Sequence, residues 1–453
     1  MNEEIFLNNL SNIFDKKDIC TDYEHKEKYR NDWSTNFESN PIAIVFPKEI
    51  EQVVNVTKVC NEFSYPMIGS GGRTGLSGGA SALSNELIIS FDKMNKIIDF
   101  DETTQTVLCQ PGLITANLQS FADEKELYYP VDFSSVGSSQ IGGNIATNAG
   151  GIRVLKYGTT SKYVYGINVV TGNGKSISMD NVLVKNATGP DLKNFFIASE
   201  GIYGLTTSCR MKLIQKPRET TVALLGFNNI SSLDKIMRSI LSLDIEAAEF
   251  FTNSSLSQVN SEFKNVKIDH LNNSYYMIVE YCEDNTFSNE LEKLYKLKSL
   301  DDVFISSNRA QKDSIWDYRM LISESISRKS PIKFDIAVPL KNVSKLIFEL
   351  ESFVSNNDEF NLVLFGHVGD GNLHVNILKN KQNSSKYIDE LESKVHSIVL
   401  GLDGTLSAEH GIGANKLNVF MSYENNIKLE LLKNLKDHFD PKWILNPGKL
   451  IGK

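Results

Sequence analysis

The chain has 453 residues, with 47 Lys and Arg against 56 Asp and Glu, a formal net charge of −9. Hydrophobic residues make up 41% and charged residues 23%, an ordinary globular composition that excludes a disordered chain, a collagen-like repeat and a coiled coil. The acidic balance argues against a general nucleic-acid binder, and no run of 18 apolar residues occurs, so no membrane span is expected.

The first forty residues read as a helical, surface-lying segment, with Phe6, Leu10 and Ile13 at helical spacing. The basic start and apolar run of a signal peptide are lacking. Residues 42–46, bounded by Pro41 and Pro47, predict a strand. Residues 49–63 predict a helix, because Ile50, Val53, Val54, Thr57 and Cys60 fall on one face. A second short strand at 66–68 completes a βαβ unit with parallel strands. Short strands follow at 87–90, 97–100, 106–109, 166–171 and 209–214, interrupted by a helix at 116–123. From Thr220 the pattern alternates again, with strands at 222–227 and 275–281 and helices at 232–243 and 288–297. That predicts an α+β domain with an antiparallel sheet. A helix at 424–438 precedes the Pro- and Gly-broken tail DPKWILNPGKLIGK. The stretches SNNDEF and NKQNSS read as surface loops. Five widely spaced cysteines without a CxxC motif fit reduced thiols, and with no signal peptide they predict a cytoplasmic setting.

Three glycine-rich stretches carry the first chemical signal: GSGGRTGLSGGA at 69–80, SSQIGGNIATNAGGI at 138–152 and ASEGIYG at 198–204. Glycines after a strand let consecutive N–H groups turn toward an anion. The first loop is out of register with GxGxxG and lacks GK[ST], which disfavours a Rossmann site and excludes a Walker loop. The small side chains of the second suggest a flat ligand lying against backbone.

In order and spacing, these stretches resemble the FAD-binding domain of the vanillyl-alcohol oxidase / p-cresol methylhydroxylase flavoproteins over residues 40–215. The resemblance implies that Ser70, Gly71, Gly72, Arg73, Thr74, Gly75 and Ser77 hold the pyrophosphate. It implies that Ser139, Gly142, Gly143, Asn144, Thr147, Asn148, Gly150, Glu200 and Gly201 line the remaining FAD. Asn446 and Lys449 lie in the tail that finishes this site in the family. No histidine lies between residues 26 and 269, so noncovalent FAD is expected.

The second signal is FGHVGDGNLHVNI, with His367, His374 and Asn376, followed by Glu409 and His410 in SAEHGIGANK. Two imidazoles and a carboxylate form a three-ligand divalent site with room for substrate. His374 and Asn376, two residues apart, share a strand face. His396 reads as a surface residue. The segment 315–340 adds Arg319 and Ser323, one helical turn apart, and Lys333 on the next strand.

These motifs resemble the C-terminal domain of FAD-linked 2-hydroxyacid dehydrogenases, and R…ISE…K.D.(S/A)VP resembles their D-2-hydroxyglutarate branch. Met320 and Trp443 depart from that branch without removing an implied ligand. The resemblance implies metal ligation by His367, His374 and Glu409, most plausibly of Zn2+. It makes His410 the base and Asn376, Arg319, Ser323 and Lys333 substrate contacts. It also implies an acceptor such as electron-transfer flavoprotein or quinone. The expected fold is α+β: an N-terminal segment (1–40), a two-part FAD domain of βαβ plus mixed sheet (41–217), a ferredoxin-like substrate domain (218–420) and a C-terminal helical segment (421–453). A homodimer is compatible with this reading. Left open are a D-lactate dehydrogenase or glycolate oxidase subunit, an FAD oxidase of another alcohol with a structural His cluster, and a non-catalytic electron-transfer subunit.

Overall fold

The computed structural model describes residues 3–34, 37–263, 271–282, 285–356, 359–379 and 385–453. The expected loops SNNDEF and NKQNSS lie partly outside the described residues. The chain divides into two compact units, residues 1–150, 158–216 and 409–453 in the first and 151–157 and 217–408 in the second.

The first unit opens with helices Glu3–Ser11 and Tyr23–Tyr29 on either side of a short strand, β1 (Ile19–Cys20). The opening segment is therefore not wholly helical; it lies on the surface with its apolar side docked. Phe6 and Leu10 are fully buried, and the Phe6 ring stacks on Tyr65 at 4.2 Å. Strands β2 (Ala43–Val45), β3 (Met67–Ser70) and β4 (Leu87–Ser90) join β1 in the order β1-β2-β4-β3. β2 and β3 run parallel, as the βαβ pattern requires, but each pairs with β4 between them. The linking helix Ile50–Phe63 buries Val53, Val56, Thr57 and Cys60 against this sheet.

Strands β5 (Ile97–Asp101), β6 (Thr106–Cys109), β7 (Leu127–Tyr128), β8 (Val164–Thr171), β9 (Ser176–Met179), β10 (Gly204–Lys212) and β11 (Ile214–Gln215) follow. Five form an antiparallel sheet ordered β5-β6-β10-β8-β9, and β7 pairs with β11. Cys109 and Cys209 stand opposite each other as free thiols, their sulfurs 3.5 Å apart. After the helix Asn426–Phe439 the tail returns to β3: Met67 N–H donates to Ile444 O at 2.7 Å, and Asn446 N–H to Met67 O at 2.8 Å.

The second unit is built on seven antiparallel strands: β12 (Thr220–Phe227), β13 (Ile245–Thr252), β14 (Tyr275–Cys282), β15 (Asp302–Ile305), β16 (Ile332–Ala337), β17 (Phe360–Gly366) and β18 (Asn372–Lys379). Their order is β15-β12-β14-β13-β17-β18-β16. Helices Asn253–Glu262, Arg309–Met320 and Ile322–Ser327 bury Leu256, Ile315, Tyr318, Ile322 and Ile326 against Phe251, Tyr276 and Phe365 on one face. This unit ends at Ala408, short of the expected boundary at 420. Thr405 pairs with Ala337, and Ala408 N–H donates to Asp335 O at 3.2 Å, so β16 holds the chain that far. The following turn belongs to the first unit, where Ile412 and Gly413 donate to Glu200. His396 is half-buried and edge-on to Phe334, with ring centroids 5.7 Å apart, so it is not a surface residue. Among the described residues no helix is long and apolar enough to cross a membrane.

Candidate active site

In the first unit the glycine stretches converge on β3. The loop after Ser70 turns sharply at Arg73, which adopts φ +56°. Its Nη1 donates to Gly71 O at 2.8 Å and Ser70 Oγ at 3.2 Å, and its guanidinium lies 4.1 Å from the Tyr29 ring centroid. The second stretch passes so close that a Cβ on Gly72 would lie 2.2 Å from Ser138 O. Only glycine permits that approach.

The second stretch is partly helical, Ile141–Thr147, which its small residues concealed in the sequence. Ser139 Oγ and Asn144 Nδ2 each lie 2.7 Å from Thr115 Oγ1, fixing the helix start. Asn148 ends the helix at φ +52°. Glu200 is held at φ +51°, with its N–H on Ala146 O. Its buried carboxylate accepts the N–H groups of Ile412 and Gly413, both at 2.7 Å. Burial pushes its pKa up, and those two donors oppose the shift. The Glu200 side chain thereby ties down the turn after Glu409 and His410. Ser77 Oγ donates to His410 O at 2.8 Å from the other side.

Asn446 takes a left-handed φ of +48°, and its Nδ2 donates to Glu200 O and Gly79 O. Lys449 is fully buried, and desolvation lowers its pKa to about 8 despite Glu86, Asp32 and Glu200 nearby. Gln140 Oε1 and Asn446 Oδ1 are buried without a hydrogen-bond partner among the described residues. A Cβ on Gly143 would meet nothing within 4 Å. Orphaned polar atoms beside glycine-lined space fit a flat, polar cofactor such as FAD.

In the second unit the sheet register gathers the other candidates. Asp335 pairs with His374 and Lys333 with Asn376, while His374 pairs with Phe365 across β18. Paired residues point to the same side, so one face carries Lys333, Asp335, His374, Asn376 and Phe365. His367 follows β17, and its ring centroid lies 5.3 Å from that of His374. The intervening turn needs Gly371: its φ is +86°, and a Cβ there would sit 2.3 Å from Val338 O.

Each imidazole has a carboxylate nearby, and that of His367 is at hydrogen-bond distance. His367 Nδ1 lies 2.7 Å from Glu249 Oε1, and His374 Nδ1 lies 3.7 Å from Asp335 Oδ1. Asn372 Nδ2 donates to Asp335 Oδ1 at 2.9 Å and steadies it. Carboxylate-backed imidazoles are the usual surroundings of metal-ligating histidines, so the donor set fits a divalent ion. Arg319 is buried, its Nε donating to Glu249 Oε2 at 2.7 Å and its guanidinium 4.7 Å from the Phe365 ring centroid.

Arg319 and Ser323 do not share one continuous helix. The helix breaks at Leu321, leaving Arg319 buried at the end of Arg309–Met320 and Ser323 exposed on Ile322–Ser327. Lys333 is exposed on the edge strand β16, opposite buried Asn376. Glu249, Asp335 and Asn372 join these candidates only through the fold. A glutamate inside the apolar run AAEFFT was the available signal for Glu249, and KFD beside Lys333 was the one for Asp335.

Residues 216–450 match the family model described as the C-terminal domain of FAD linked oxidases, and residues 41–180 match the FAD binding domain. The chain is 37% identical to the D-2-hydroxyglutarate dehydrogenase of Stutzerimonas stutzeri over 99% of both chains. It is 35% identical to that of Xanthomonas citri pv. viticola over 94% of this chain and 92% of the relative. The structure of p-cresol methylhydroxylase with substrate bound superposes with a TM-score of 0.77 at 16% identity, covering 98% of this chain and 96% of that one, which is a likeness of fold.

Proposed function

Since the chain belongs to the FAD-linked oxidases and carries both their FAD binding and C-terminal domains, we propose that it is a dehydrogenase oxidising D-2-hydroxyglutarate to 2-oxoglutarate. The supporting observation is the sheet face that carries His374, Asn376 and Lys333 beside His367 and the Glu249-bound Arg319. In this reading His367, His374 and Glu409 hold a divalent ion, and the glycine stretches with Asn446 hold noncovalent FAD. When bound, FAD would supply a hydride acceptor, and a divalent metal, Zn2+ for this donor set, would supply Lewis-acid charge at the hydroxy-acid end of the substrate.

The chain's own residues do the rest. His410 takes the C2 hydroxyl proton on an imidazole nitrogen as general base. Asn376 orients the hydroxy-acid end. Arg319, with Ser323 and Lys333, meets substrate carboxylates, the guanidinium fork suiting a carboxylate's two oxygens. The partner that would take the electrons onward is an acceptor such as electron-transfer flavoprotein or a quinone.

The test is flavin bleaching under anaerobic conditions. D-lactate has a methyl where the diacid has its second carboxylate. Losing one charge-assisted hydrogen bond costs about 1.5–3 kcal/mol, so D-2-hydroxyglutarate should be favoured by about tenfold or more in reduction efficiency. Lys333→Ala should narrow that gap. Equal efficiency with both acids in the parent protein would sink the substrate assignment.

A further inference from the structure

We infer that Glu249 is a positioning residue that locks the substrate-binding Arg319 and the metal-binding His367 to one buried carboxylate; this rests on the functional reading above. Glu249 stands on β13 and is fully buried. The pairing of Phe250 with Gly366 and Phe251 with Phe365 carries Glu249 alongside the residue that follows β17, which is His367. One carboxylate oxygen, Oε2, takes Arg319 Nε at 2.7 Å, and the other, Oε1, faces His367 Nδ1 at 2.7 Å.

Both contacts fix more than a position. A proton on His367 Nδ1, shared with Glu249, leaves the lone pair at Nε2, the tautomer a metal requires. Arg319 Nε is committed to Glu249, so the terminal Nη groups are the end of the fork presented to a ligand. The guanidinium plane is fixed on its other side by Phe365, which pairs with His374. A buried carboxylate with only one partner would be costly, and the Arg319 and His367 contacts together satisfy it. Glu249 itself touches neither substrate nor metal. It sets the spacing between the charge that receives a carboxylate and the imidazole that receives the ion.

The experiment compares the parent holoenzyme with Glu249→Gln and Glu249→Asp. The amide of Gln keeps the shape but cannot accept from both partners. Asp keeps the charge but draws back by one methylene. Zn2+ alone is titrated into protein stripped of metal with its FAD retained. Affinity should fall about tenfold or more in Glu249→Gln and by a smaller factor in Glu249→Asp. The preference for D-2-hydroxyglutarate over D-lactate should shrink in parallel, which a purely structural carboxylate would not cause. Should Glu249→Gln fail to fold, Glu249→Asp carries both measurements. Zn2+ affinity and substrate preference at parent values in a folded variant would overturn the inference. Failure of the parent to be reduced by D-2-hydroxyglutarate would instead strike the functional reading, and the Zn2+ titration would still decide the role of Glu249.

Discussion

Lys436 is buried to 1% exposure in the helix Asn426–Phe439, and its ammonium donates to three acceptors: Asp440 Oδ2 and Leu445 O, each at 2.6 Å, and Ile202 O at 2.7 Å. Burial lowers its pKa, and Asp440 works against that shift. Lys436→Met replaces the stem with one of similar length and removes the charge. Asp440, with no exposed surface, would keep only the Leu445 N–H on Oδ2, while its Oδ1 already lacks a partner among the described residues. Removing one member of a buried ion pair costs about 3–5 kcal/mol, because the surviving charge stays desolvated. The loss falls on the segment that delivers Leu445 and Asn446 to β3, so the FAD site should loosen with it. Urea unfolding followed by Trp443 fluorescence and flavin release reads both effects. Trp443 is a local reporter, its ring centroid 5.9 Å from Lys436 Nζ. Both transitions should move to lower urea together. The double variant Lys436→Met/Asp440→Leu should recover only the part of the loss that comes from the stranded Asp440 charge, since Ile202 O, Leu445 O and the Leu445 N–H stay without their partners. A single-variant cost below about 1 kcal/mol, or flavin release unchanged while the fluorescence transition shifts, would refute the reasoning.

Two further outcomes are expected. His374→Ala removes one of three proposed ligands on a strand remote in sequence from the glycine stretches; metal content measured by elemental analysis should fall steeply and turnover with it, while FAD content stays at the parent level. Acid precipitation of the parent should move all yellow colour into the supernatant, and colour held in the pellet would show a covalent flavin.

The parts of the fold that were legible in the sequence are those with local periodicity. The helix Ile50–Phe63 announces itself through Val53, Thr57 and Cys60, and β6 through a short apolar run bounded by turn residues. The insertion of β4 between β2 and β3 is a long-range pairing that no local pattern encodes. β13 was hidden because all eight of its residues are buried, Glu246 and Glu249 among them, so no alternation appears. Glu246 takes the Tyr157 hydroxyl at 2.6 Å, and Glu249 takes Arg319 and His367; these partners lie far away in sequence. The site shows the same division. His367, His374 and Asn376 form a motif within one hairpin and were visible. Glu249, Asp335 and Asn372 act through residues on neighbouring strands and were not. Arg319 and Ser323 looked like one face because helical spacing was assumed to continue through Leu321, where the chain turns into a new helix.

The docking of residues 444–446 on β3 has a consequence for biogenesis. Met67 and Ile444 lie far apart in sequence, yet each is the other's hydrogen-bond neighbour. During synthesis that edge of the parallel sheet around β3 stays unpaired until residues 444–446 have emerged. Contacts of such high sequence separation form late and slowly, because the loop entropy is spent before the contact rewards it. Since Asn446 arrives with that edge, the cofactor cradle cannot close before the NPGK segment has been made, and a truncation ahead of it leaves both a sheet edge and a flavin site open.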